Sequence, residues 1–334
     1  MLKRFDVVIA GAGPAGLSCA EQLQDTGLSV LLLDENREFR AKPCAGGLTP
    51  LAGLPELQDG TRLFERQSIY LNSRRFEFRS EMPVRTVSRV VLAEHLAGRI
   101  RNAGNIEFLK GAALEEVRGD EVHTSWGVFQ FGILVGADGS QSRVRRCLGL
   151  PFRLALALYC EIPAAADEIS VHFRPASIRS GYLWKFPHRD CLNTGIGFDP
   201  ARLKTPQAKE ILARFIGEQG LHASGLRLKG GPLNYCYAGF RFGQVFLAGD
   251  AAGMVSKPTG EGISFALISG REIGRKILNP EYPMPEIKQA LRLKKRQEMA
   301  GSLMEKYPAV SAAVLYSVIF SLRWDFVRNR LSRL

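Results

Sequence analysis

The sequence lacks the residue groupings that mark metal and disulfide chemistry. Its six cysteines, Cys19, Cys44, Cys147, Cys160, Cys191 and Cys236, form no CxxC pair, which excludes a zinc knuckle or a dithiol centre. Scattered thiols of this kind read as reduced. The five histidines are dispersed with no HExxH or related spacing, so no metal is expected, and His188 is expected to be solvated. No run of 18 apolar residues occurs, which leaves no candidate membrane span. Internal repeats, low-complexity tracts and a Ser–His–Asp grouping are also missing. Residues 1–13, MLKRFDVVIAGAG, enter a strand at once and leave no space for a cleaved leader, so a cytoplasmic location is expected. Acidic charge is the minority, with 33 Asp and Glu against 45 Lys and Arg, for a net charge of +12. Such a field favours anionic partners, such as phosphate-bearing substrates or an acidic membrane surface. Nucleic acid is not an expected partner.

What is present begins with residues 5–36, FDVVIAGAGPAGLSCAEQLQDTGLSVLLLDEN. VVIA reads as a buried strand. Gly11, Gly13 and Gly16 then give G-x-G-x-x-G. The first allows a tight turn, the second lets the backbone approach a pyrophosphate, and the third lets helix and strand pack closely. The following helix, from about Pro14 to Asp25, turns free N–H groups toward phosphate. A second strand ends on Asp34, whose carboxylate can accept from a ribose. Strand, glycines, helix, strand and acid arrive in the order of a dinucleotide-binding unit.

Two later stretches repeat the theme. ILVGADGSQSRVRR (133–146) is a strand running into Asp138-Gly139-Ser140, with Ser142 and Arg145 at a basic helix start suited to a phosphate-bearing cofactor. QVFLAGDAAGMVSKPTGEGISFALISG (244–270) is a strand ending at Gly249-Asp250, then a helix with Gly260 and Gly262 near its start. Backbone N–H groups at such a start stabilise negative charge.

GYLWKFPHRDCLNTGIG (181–197) places Tyr182, Trp184 and Phe186 on one strand face and Leu183 and Lys185 on the other. The three rings form either the wall of an apolar cavity or ordinary sheet core. In AKPCAGGLTP (41–50), Cys44 has neither a partner for a disulfide nor clustered ligands for a metal, leaving a functional thiol or a small residue in a tight loop.

The three nucleotide signals, in order, resemble the FAD-dependent oxidoreductases of the p-hydroxybenzoate hydroxylase fold. Within them, Y-x-W-x-F-P followed by seven residues and G-x-G, together with P-C-x-G-G-L at 43–48, is similar to motifs of the geranylgeranyl reductase family. The resemblance covers residues 5 to about 275. It departs at Ala45, where the family usually has Gly, and in a modest C-terminal length. It implies an α/β fold, a Rossmann-like FAD-binding domain with an inserted sheet-rich substrate domain. It implies FAD as cofactor, with contacts at Gly11, Gly13, Ala15, Gly16, Asp34, Glu35, Arg89, Asp138, Gly249, Asp250, Gly260, Gly262 and Ile263. Arg89 matches an arginine near the FAD phosphates, the other reading being a solvated helix-start arginine. Tyr182, Trp184, Phe186, Gly46 and Gly47 are implied substrate contacts, and Cys44, beside the isoalloxazine ring, is the catalytic candidate.

The implied activity is reduction of C=C bonds in a polyprenyl group on a lipid, quinone, pigment or diphosphate. The sequence has no second dinucleotide fingerprint, so the electron donor is NAD(P)H bound transiently or a ferredoxin as redox partner protein. Two alternatives stand beside this. One is a monooxygenase or halogenase of the same fold acting on an aromatic or peptide. A halogenase needs a lysine between flavin and substrate, and Lys185 faces the wrong way. The other is a flavin-bound lipid-binding or redox-sensing protein. The expected FAD-binding domain takes residues 1–61, 83–150 and 236–283; the substrate domain takes 62–82 and 151–235. A helical segment, 284–334, carries the basic run RLKKR and the apolar AAVLYSVIFSL, which is too short to span a bilayer and suits a cap over the substrate channel or peripheral membrane contact.

Overall fold

A computed structural model describes residues 2–40, 42–53, 56–57, 59–222 and 225–307. The apolar tail stretch lies outside them. Two eight-stranded sheets organise the chain. In the first, the strand Lys3–Ala10 lies between Val30–Asp34 and Gly127–Gly136, parallel to both. Ile106–Lys110 extends the sheet on one side and Val245–Leu247 on the other, again in parallel. Val7, Val8, Ile9 and Ala10, and Val30 to Leu33 beside them, are at most 1% exposed. Continuous apolar runs are what a parallel sheet covered on both faces requires. The helix Pro14–Leu23 packs on this sheet, and the helix Ile263–Leu278 packs on that helix. Pro14 opens the first helix, where its missing N–H costs nothing.

The second sheet runs, in spatial order, Lys229–Asn234, Leu154–Ile162, Leu192–Phe198, Gly181–Pro187, Ile169–Phe173, Thr61–Leu71, Arg74–Val87 and Gly47–Leu48. All its pairings are antiparallel except Ile169–Phe173 with Thr61–Leu71. Its two faces differ. Leu183, Ile196, Cys160 and Ile162 pack with Leu212, Phe215 and Ile216 of the helix Thr205–Glu218. The opposite face carries Tyr182, Trp184 and Tyr159 toward the first sheet. The period-2 alternation of a strand separates the two sets.

The helix Pro285–Lys306 closes the described chain. Lys294, in the middle of the basic RLKKR run, is 3% exposed and donates to the Tyr235 and Val255 carbonyls at 3.1 and 2.9 Å. That lysine docks the helix instead of facing solvent. Buried Glu272 ties the same helix to its neighbour by accepting from the Glu286 and Ile287 N–H groups. Among the described residues no helix is long and apolar enough to cross a membrane.

Candidate active site

The glycine turn is dictated by backbone proximity. A β-carbon at Gly11, whose φ is +102°, would sit 2.5 Å from the Ala137 carbonyl oxygen; one at Gly16 would sit 1.9 Å from that of Gly11. Among the described residues a β-carbon at Gly13 meets nothing within 4 Å and would project into a cavity of about 760 Å³ between the two sheets. Ala15 wedges between helices: a β-carbon at Gly270 would touch its carbonyl oxygen at 2.0 Å. Asp34 has a further task beyond the one expected. Its Oδ2 accepts the Ala12 N–H at 2.8 Å and its Oδ1 accepts from Asn36, so it pins the turn. The carboxylate of Glu35 is exposed on the cavity rim. Arg89 is the first residue of the helix Arg89–Arg99, capped by Ser88 accepting the Val91 N–H at 3.1 Å, and it lines the cavity.

The two later motifs meet across 110 positions. Ser140 donates to Asp250 Oδ2 at 2.6 Å. Burial raises the Asp250 pKa, while the Ser140 bond and the charges of Arg89 and Lys42 oppose that rise. Asp138 Oδ2 accepts the Arg143 and Val144 N–H groups at 2.7 and 3.2 Å; its buried Oδ1 has no partner among the described residues. Burial raises this carboxyl as well. Arg145 corrects the sequence reading. It is fully buried and donates to the carbonyls of Pro151, Ala251 and Cys236 between 2.6 and 2.9 Å, stitching three segments together rather than meeting a phosphate. Gly249 lies behind the cavity wall, its N–H on Ser269 Oγ at 2.9 Å, while Gly260, Gly262 and Ile263 line the cavity at the N-terminus of the helix Ile263–Leu278.

The Cys44 loop is clamped against the second sheet. Asn193 Nδ2 donates to the Cys44 carbonyl at 3.0 Å, and Asn193 Oδ1 accepts from Trp184 Nε1 at 2.8 Å. One buried amide thus joins the loop to the aromatic wall. The Gly46 N–H donates to Cys44 Sγ at 3.3 Å. His188 is the second correction: its Nε2 bonds the Ala45 carbonyl at 2.9 Å, and its ring shares the place of a Gly46 side chain with the Val87 carbonyl oxygen, at 2.6 Å for Cε1 and 2.4 Å for the oxygen from a β-carbon there. Burial lowers its pKa, while the bond to the Ala45 carbonyl, which favours an N–H at this nitrogen, opposes that fall. A β-carbon at Gly47 would meet the Phe186 ring at 2.7 Å. Thr49 Oγ1 then donates to Glu261 Oε1 at 2.8 Å, tying the loop to the first sheet's side.

Tyr182, Trp184 and Phe186 all line the cavity, as do Cys44, Gly46 and Gly47. Tyr182 reaches across it to donate to the Thr259 carbonyl at 2.5 Å. Burial above all, with Cys44 and Glu261 adding, holds the Tyr182 pKa well up. Tyr159, across the strand pairing from Gly195, is pushed up to about 12 by burial first, then by Glu161, Cys44 and Cys191. Lys185 points to the other face, onto Gln219 Oε1 at 3.2 Å. Asn193, Glu261 and Lys42 were not singled out by the sequence reading. An asparagine inside a strand was the one available signal, because that residue type is depleted there.

The donors fit FAD. Open space faces Gly13, the cations Lys42 and Arg89 stand near Asp250, and the cavity volume lies in the range of cofactor sites. An FAD binding domain family matches residues 4–51 and 130–280. Digeranylgeranylglycerophospholipid reductase 1 of Methanopyrus kandleri is 31% identical over 81% of this chain and 79% of its own. The chain belongs to the geranylgeranyl reductase family of FAD-dependent oxidoreductases. The enzyme is also 30% identical to the chloroplastic geranylgeranyl diphosphate reductase of Oryza sativa subsp. japonica, over 80% of this chain and 65% of that one. Its fold is that of a geranylgeranyl bacteriochlorophyll reductase-like protein from Thermoplasma acidophilum, with a TM-score of 0.77 at 20% identity over 94% of this chain and 90% of the other.

Proposed function

We propose that this oxidoreductase reduces C=C bonds of a polyprenyl chain carried on a lipid or diphosphate. The observation that carries the reading is one continuous cavity joining the Gly13 turn to the aromatic wall through the Cys44 loop. Bound FAD, once reduced, supplies the two electrons of each reduction. Gly13 leaves room for the pyrophosphate, with Lys42 and Arg89 supplying countercharge. Glu35 and the Ser140–Asp250 pair offer acceptors to ribose and ribityl hydroxyls. Tyr182, Trp184 and Phe186 hold the apolar chain and exclude water, and the clamped Cys44 thiol orients the reacting segment. The net charge of +12 supports an anionic electron donor, NAD(P)H or a ferredoxin-type protein, and an anionic head group at a membrane surface.

The test is anaerobic incubation of the FAD-loaded enzyme with NADPH, NADH or dithionite and a geranylgeranyl lipid, followed by mass spectrometry. The expected product gains two hydrogens per reduced bond. A hydroxylated product in air, with no anaerobic turnover, would overturn the reading in favour of a monooxygenase.

A further inference from the structure

We propose that Gly197 is the residue that gauges the apolar chain, its missing side chain keeping open the part of the cavity beside the aromatic wall. The inference rests on the polyprenyl reading of that cavity. Gly195 and Gly197 both belong to the strand Leu192–Phe198 and share its inner face, opposite Trp184 and Tyr182. Their surroundings differ. A β-carbon at Gly195 would lie 2.2 Å from Trp184 Cζ2 and 2.5 Å from the Leu158 carbonyl oxygen, so the indole occupies its place. Among the described residues a β-carbon at Gly197 meets a single atom within 4 Å, Trp184 Cζ3 at 3.9 Å. The backbone there is ordinary strand and not left-handed, so neither conformation nor packing requires a glycine. What the glycine provides is space, and Gly197 lines the cavity.

The walls of that space are held in place. Across the strand pairing lies Ala157, small and 4% exposed. On the other side Tyr182 is fixed by its hydroxyl on the Thr259 carbonyl, and Trp184 by its indole N–H on Asn193. Neither ring is free to swing in and fill the gap. At the strand's end Asp199 pairs with Lys257 at 3.2 Å, and Lys257 also pairs with Glu305 at 3.1 Å. That lysine is already neutralised by two carboxylates, which disfavours an anionic head group at this end. The space by Gly197 therefore receives apolar chain, and a side chain there shortens or narrows what fits.

The experiment compares Gly197→Ala and Gly197→Leu with the wild type, all FAD-loaded. It titrates geraniol, farnesol and geranylgeraniol calorimetrically, with flavin content and melting temperature as controls. Flavin content and melting temperature should stay at wild-type values. Leucine should weaken geranylgeraniol by about tenfold or more while geraniol changes less than about twofold, with alanine in between. Equal weakening of all three alcohols, or of none, on a wild type that binds them overturns the gauge alone. A wild type that binds none of them overturns the polyprenyl reading and the gauge with it. If leucine lowers the melting temperature, the alanine variant carries the comparison, and its failure to rank the alcohols by length is equally decisive.

Discussion

The two sheets differ in what closes over their glycines. Around the nucleotide turn, the atoms that forbid a side chain at Gly11 and Gly16 are backbone atoms, at 2.5 and 1.9 Å. In the aromatic half rings take part: Phe186 alone closes over Gly47, while His188 shares Gly46 with the Val87 carbonyl oxygen and Trp184 shares Gly195 with the Leu158 carbonyl oxygen. Backbone cannot yield without moving a strand or a helix. A ring can rotate or shift, at the expense of the wall it forms. The first region is thus a rigid cradle, and the second is a surface whose shape depends on how a few side chains are held.

Substitutions in each half sharpen this contrast. Gly16→Val should be the most damaging, destabilising by about 3 kcal/mol or more because it forces the first helix off its strand. Gly13→Val, with open space around it, should leave the melting temperature of the flavin-free protein nearly unchanged while flavin binding is lost; equal flavin-free melting temperatures for both variants would break the distinction. Trp184→Ala comes next. Removing a buried tryptophan usually costs about 3–5 kcal/mol, and this one borders a cavity, so the lower end is expected, about 3 kcal/mol. Substrate affinity should fall much more than flavin content, as read by calorimetry and absorbance. Gly47→Ala should cost about 1 kcal/mol, since the Phe186 ring can shift. Its turnover should drop with FAD retained, and a loss of FAD instead would mean the loop belongs to the cradle.

The smallest effect at neutral pH concerns acid. His172 is 4% exposed, stacks on Tyr70 at 4.2 Å and bonds Ser170 Oγ at 3.0 Å. Burial first, then Lys185 and Arg174, lowers its pKa from 6.5 to about 3. The folded state therefore binds this proton more weakly than the unfolded chain. Stability should fall as pH drops below 6.5 and level off near 3. His172→Phe should flatten that part of the melting-temperature profile and leave pH 7 nearly unchanged. An unaltered acid profile would place the sensitive group elsewhere.

The cradle was legible in the sequence because its constraints are local and carried by residue type. Glycines at fixed spacing and an acid at a strand end each have one conformational reading, and in the other half the alternation of Tyr182, Trp184 and Phe186 has one as well. The clamp of the Cys44 loop was not legible. Asn193 and His188 act on a loop almost 150 positions away, and nothing in NTGIG or FPH declares that partner. Arg145 misled for a related reason. Its position at a helix start suits a phosphate, and only the nearby Pro151 carbonyl together with the distant carbonyls of Ala251 and Cys236 turns it inward. Lys294 likewise sits in a dense basic run, and nothing in that run declares the Tyr235 and Val255 carbonyls that hold it.

The most direct test of the central claim is an anaerobic single turnover. The FAD-loaded enzyme is reduced with a stoichiometric amount of dithionite, mixed with a geranylgeranyl lipid, and followed by flavin absorbance and lipid mass. Reduction of the chain in this cavity predicts that the oxidised flavin spectrum returns as the lipid gains two hydrogens per flavin. A flavin that stays reduced beside the lipid and reoxidises only when oxygen is admitted would contradict it.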